Sequence, residues 1–150
     1  MRQVTLQLIG ILLCLVGSAS VSVACTCMHL RDDPAAAFTS ASAVFSGKVL
    51  KITEGESAVP ASGVKELTVK FRVEKSWKLV SRDEVMVLTV NTGNLCGFTF
   101  KEGERYLVYG RGGGNKFMTD ICTRTTGLIG ATEDLEYLEG KPLLKVKKSR

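Results

Sequence analysis

The chain has 150 residues, with 20 Lys and Arg against 15 Asp and Glu, a formal net charge of +5 and one histidine. That length builds one ordinary domain with its core, and a single histidine leaves no histidine-based metal cluster or Ser-His-Asp triad to assemble. The sequence also lacks a Gly-x-Gly-x-x-Gly turn and a P-loop, which removes the usual phosphate-cradling classes.

In chain order the first element is a leader. Arg2 is the only charge among residues 1–24, residues 6–16 form a nearly unbroken apolar run, and Ser22-Val23-Ala24 is a small-x-small cleavage site. Such a run matches the h-region of a signal peptide and is short for a bilayer span. The expected organisation is a signal peptide over residues 1–24, a domain over residues 25–140 and a basic, flexible tail over residues 141–150, and the expected location is secreted, extracellular or periplasmic. The same leader also admits an N-terminal membrane anchor, or a lipoprotein acylated on Cys25. Against the lipoprotein, Ser22 stands where a lipobox prefers Leu or another aliphatic residue.

A cut after Ala24 removes Cys14 and leaves Cys25, Cys27, Cys96 and Cys122. An even count in an exported chain reads as two disulfides, for which three pairings exist. Pairing Cys25 with Cys27 would make a strained small ring. Either other choice ties the new N-terminus to both distant cysteines. Losing Arg2 leaves 19 cations against 15 acids, and five of those cations (Lys141, Lys145, Lys147, Lys148 and Arg150) lie in the last ten residues. The body is then close to neutral, at 14 against 15, which argues against a nucleic-acid-binding domain. The tail is either a solvated terminus or a polyanion contact through Lys145, Lys147 and Lys148.

Asp32-Asp33-Pro34 before "AAAFTSASA" predicts a helix start, since Asp caps and Pro suits the first turn. "AVFSGKVLKI" predicts a strand with a bulge at Gly47. Residues 55–64 have loop composition without periodicity. "KELTVKFRVEKSW" is the clearest strand, with Leu67, Val69, Phe71 and Val73 on one face and Thr68, Lys70, Arg72 and Glu74 on the other. "EVMVLTV", "RYLVYG" and "KFMTDIC" follow as strands, the last two split by a turn at 112–115. Thr132 begins a short helix with an acidic first turn, ended by Gly140. Five antiparallel strands with a helix at each end make an all-β core, and closing them into a barrel removes the sheet edges.

Most of the remaining motifs have structural readings. "RGGGNK" lies between strands and opens no helix, and His29 reads as a solvated loop residue. Cys25-Thr26-Cys27 is C-x-C in an antiparallel β pattern, unlike the C-x-x-C of thioredoxin-like enzymes. Trp77 reads as core or as a plug at a barrel end, and Gly97 and Gly103 as turn residues.

A set of motifs in one order carries a resemblance: "CTC" at the expected start, "AVFSGKVLKI", "FRVEKSWK", "LCGF", "GERYLVYG", and "ICTRTTGL" followed by "EDLEYL". They cover residues 25 to about 139 and resemble the N-terminal domain of the tissue inhibitors of metalloproteinases, within the netrin-like superfamily. The resemblance implies a five-stranded antiparallel OB-fold barrel with two short flanking helices, and the disulfides Cys25–Cys96 and Cys27–Cys122. Each bridge would close a loop worth roughly 4–5 kcal/mol in the chain-entropy model. It implies no enzyme activity, no intrinsic metal and no cofactor. The implied partner is a zinc metalloprotease, bound by a monomer.

In that reading the α-amine and carbonyl of Cys25 chelate the protease's catalytic zinc and displace its water. Thr26 enters the specificity pocket, and Met28, Leu95, Gly97 and Phe98 flank the cleft. The alternative is a non-inhibitory extracellular netrin-like binding module, anchored by lipid if Cys25 is acylated. Two differences from the animal inhibitors, the missing third disulfide and the missing second cysteine-rich domain, point to a minimal, bacterial-type relative. A third, Met28-His29-Leu30 after "CTC" where Pro is usual, bears on the choice of target and leaves the binding-module alternative open.

Overall fold

The computed structural model describes residues 25, 27, 33–59, 64–91, 96–114, 116–142 and 146. The leader, His29 and most of the basic tail, including Lys145, Lys147 and Lys148, lie outside the described residues.

Helix α1 (Pro34–Ser40) begins where the sequence says. The Asp33 carboxylate accepts Ala35 N at 2.9 Å and Ala36 N at 3.2 Å, and Pro34 fills the first turn. Its far end is closed by Lys78, whose Nζ donates to Phe38 O at 2.8 Å and Thr39 O at 3.1 Å.

The strands are β1 (Ala43–Val59), β2 (Val64–Lys78), β3 (Glu84–Val90), β4 (Arg105–Gly113), β5 (Lys116–Met118) and β6 (Thr126–Gly127). Their pairings run β1–β2–β3–β5–β4 and back from β4 to β1, a ring of five, with β6 added to β4. All are antiparallel except β3–β5. Helix α2 (Thr132–Glu139) follows a 3₁₀ turn at Leu128–Gly130. The protein is thus mostly β with two short helices. Among the described residues no helix is long and apolar enough to cross a membrane.

Three expectations are corrected. Residues 55–59 and Val64 belong to strands, because β1 and β2 keep pairing as far as Val59↔Val64. Residues 53–56 are all exposed, so no face is selected for apolar residues and no alternation appears in the sequence. "KFMTDIC" is strand only as far as Met118. There the Asp120 carboxylate accepts the N–H groups of Cys122 and Thr123, each at 2.9 Å, and turns the chain away. Strand β6 was not expected.

The register slips between Ser46 and Gly47, leaving Glu74 as the extra residue on β2. A Cβ on Gly47 would lie 2.5 Å from Arg72 O, so the glycine permits the close approach at this bulge.

The core has two layers. Inside the ring Phe45, Val69, Phe71, Val73, Phe100, Tyr106 and Val108 are buried, whereas Leu67 is only half-buried. Phe71 meets Phe45 and Phe100 edge-on at 5.7 and 5.3 Å between ring centroids. On the outer face Val44, Trp77, Leu107 and Tyr109 pack with Ala37 and Leu138 of the helices. Trp77 is therefore core. Strand β4 is apolar on both faces because both are covered. Each fully buried aromatic here contributes about 2 kcal/mol. Val146, within the expected flexible tail, packs against the inner cluster.

Candidate functional site: the disulfide clamp on Cys25 and Cys27

Cys25 is bonded to Cys96 and Cys27 to Cys122, across 71 and 95 residues. Of the three pairings open to four cysteines, this is the one the resemblance implies. Two such bridges belong to an oxidising extracellular or periplasmic environment.

The receiving segments are held in different ways. Past Cys96, Phe98 N donates to Thr89 Oγ1 at 2.9 Å, and the Phe98 ring packs on Phe100 with 4.6 Å between centroids. Gly97 is buried so tightly on β3 that a Cβ would stand 1.9 Å from Val90 O. It is a close-approach glycine and not the expected turn residue. Gly103 is a turn residue, with φ +82.

The Cys122 segment rests on buried polar groups. Thr119 Oγ1 lies 2.7 Å from the hydroxyls of both Thr123 and Thr125, and Thr125 Oγ1 accepts Tyr109 N at 3.0 Å. Arg111 Nη2 meets the Asp120 carboxylate at 2.5 Å. The two segments join directly through Ile121 N and Cys96 O at 2.9 Å. Cys25 and Cys27 are thereby pinned to two adjacent, separately supported strips of chain.

Beneath this lies a network that sequence reading missed. Asp134 is buried at 4% exposure, and its Oδ1 accepts the Tyr109 hydroxyl and Arg124 Nε, both at 2.7 Å. Arg124 also contacts Glu133. Burial and the Asp134 carboxylate push the Tyr109 phenol well above its ordinary pKa. Burial alone would lower Arg124, but Asp134 and Glu133 outweigh it and raise its pKa. In the sequence Asp134 looked like first-turn acid, and only its burial reveals the role.

Of the expected protease contacts, Gly97 and Phe98 sit beside the Cys25–Cys96 bridge, buried and half-buried. Thr26, Met28 and Leu95 lie outside the described residues. A depression of about 200 Å³ adjoins Cys96, lined by Leu88, Val90, Met118 and Asp120. A larger groove of about 690 Å³, by Leu79, Arg82 and Met86, includes none of the four cysteines. Among the described residues no three His, Cys, Asp or Glu side chains converge on a metal site. Neither a protein-family model nor a curated protein matches the chain.

Proposed function

We propose that the chain is an exported zinc-metalloprotease inhibitor of the tissue-inhibitor type, with its ring of strands forming a netrin-like OB-fold barrel. The observation carrying this reading is the double clamp on Cys25 and Cys27. A chain start is ordinarily frayed, and fixing it removes the ordering cost of inserting it into a cleft. The fold reading draws support from the closed circuit of five strand pairings.

With the leader cut after Ala24, Cys25 carries a free α-amine beside its own carbonyl, two donors suited to one open metal position. Its thiol is occupied by the disulfide and is not a ligand. Coordination of both donors displaces the zinc-bound water that the protease uses as nucleophile, and hydrolysis stops. Thr26 follows into the specificity pocket.

The test starts with the intact mass of the exported protein, unreduced. The expected species is residues 25–150 less four hydrogens, without lipid. One alanine inserted before Cys25 should then abolish inhibition while leaving the circular dichroism spectrum unchanged. A variant that inhibits as well as wild type refutes the chelate. A lipid on Cys25 refutes it too and leaves an anchored binding module.

A further inference from the structure

The turn between β2 and β3 begins with a residue in a rare conformation. Leu79 has φ +60, the one positive φ outside glycine among the described residues. Val80 N donates to Lys78 O at 3.0 Å across it, which closes a three-residue turn of the strained, left-handed kind. Glycine would adopt this backbone without the clash that a Cβ brings. Leu79 does not recover that cost by packing, since its side chain is 61% exposed.

The side chain stands instead at the groove of about 690 Å³, a size usual for small-molecule sites. Leu79, Val85, Met86 and Phe117 give the groove an apolar wall. Val85 and Phe117 belong to the inner core and are fixed, whereas Met86 is 36% exposed and can adapt its shape. Three charged side chains also line the groove. Lys70 and Glu84 answer each other at 2.6 Å. Arg82 forms no ion pair among the described residues. An apolar wall therefore adjoins one unanswered cation.

We propose that this groove binds a single-chain amphiphilic anion of the fatty-acid class, with its carboxylate on Arg82 and its alkyl chain along Leu79, Met86 and Phe117. The guanidinium is a forked donor that a carboxylate matches bidentately, and the wall takes the alkyl chain out of water. Two exposed apolar side chains are too few for the buried core of a protein interface of standard size, about 1,600 Å², which favours a small ligand. Backbone strain persists at ligand sites where the surroundings over-determine it. Here Lys78, whose Nζ is fixed on the end of α1, holds the turn. The groove adjoins the start of β3, whereas Gly97 meets the end of β3 at Val90. The proposal stands whether or not Cys25 binds zinc.

The test uses the full exported chain and calorimetric titration with decanoate below its micelle concentration, with decanol as the uncharged probe. Wild type should bind one decanoate per chain, and no saturable binding overturns the site. Arg82→Gln should weaken decanoate at least about tenfold and change decanol by less than about twofold. Leu79→Gly should weaken both probes at least about fivefold. The same variant should melt a few degrees higher, because glycine relieves the turn. A higher melting temperature with binding intact would make Leu79 merely structural and overturn the site. Met118 is 62% exposed and lies outside the groove, so Met118→Ser should bind decanoate as wild type does. Equal weakening by Met118→Ser and Leu79→Gly would mean adsorption to exposed apolar surface and overturn the site. Unchanged decanoate binding by Arg82→Gln overturns it as well. A ligand-free dimer in sedimentation that Leu79→Gly dissociates would replace the fatty acid with a second copy of the chain.

Discussion

Removing Cys27–Cys122 with paired alanines should cost less than its 95-residue separation suggests. Taken alone, a loop of that length is worth about 4.7 kcal/mol in the chain-entropy model. The unfolded chain, however, still carries Cys25–Cys96. Through that bridge, residues 25–27 and 96–122 already join into one path, so the second bridge closes a covalent ring of about 30 residues, worth about 3.6 kcal/mol. Removing Cys25–Cys96 instead opens the same ring, so its cost should agree within about 1 kcal/mol despite the shorter separation of 71. Removing both should cost about 8 kcal/mol, beyond the margin of many domains. Urea unfolding of the two single-bridge variants is the assay. A loss below about 1 kcal/mol in either would refute the ring argument, because it would mean the bridge does not restrict the unfolded ensemble.

Gly97→Ala should destabilise by more than about 2 kcal/mol, since its Cβ would lie 1.9 Å from Val90 O and only backbone can yield. Gly103→Ala should cost about 1 kcal/mol, from φ +82 alone with nothing within 4 Å; equal losses in urea unfolding would contradict the distinction. The Tyr109 phenol is held above its ordinary pKa, so its stabilisation is complete below about pH 10 and is lost as pH rises toward the folded value. Tyr109→Phe should cost about 1–3 kcal/mol near neutral pH and flatten the alkaline unfolding curve, and an unchanged curve would exclude the phenol as its cause. Zinc chelation needs a deprotonated amine, so inhibition should weaken as pH falls below about 7.7–8.0; an inhibition constant flat across that range would count against the amine.

Local chemistry was legible in the sequence. Asp33 and Pro34 mark the start of α1, and the alternation through Val69, Phe71 and Val73 marks the inner face of β2. What depends on partners far along the chain was not legible. The β1–β2 extension past Ile52 buries no face and leaves no apolar period. Strand β5 ends at Met118 because Asp120 captures two N–H groups, a choice invisible in "KFMTDIC". At the clamp, the cysteines were plain in the sequence, but the buried support under Cys122 was not.

That support is different in kind from what holds Cys96. The Cys96 strip is fixed by apolar packing, with Phe98 leaning on Phe100 and Gly97 pressed to β3. The Cys122 strip is fixed by directional bonds that run from Asp134 through Tyr109 to Thr125, Thr119 and Thr123. Packing tolerates small shifts, whereas a buried hydrogen-bonded network left half-satisfied costs the desolvation of every orphaned group. Asp134→Ala would strand the Tyr109 hydroxyl and take from Arg124, itself 12% exposed, its buried carboxylate partner. The disturbance would reach residues 122–125 with no loss of ring packing. Since Cys27 is bonded to Cys122, the placement of Cys27 on the body depends on the helix that carries Asp134.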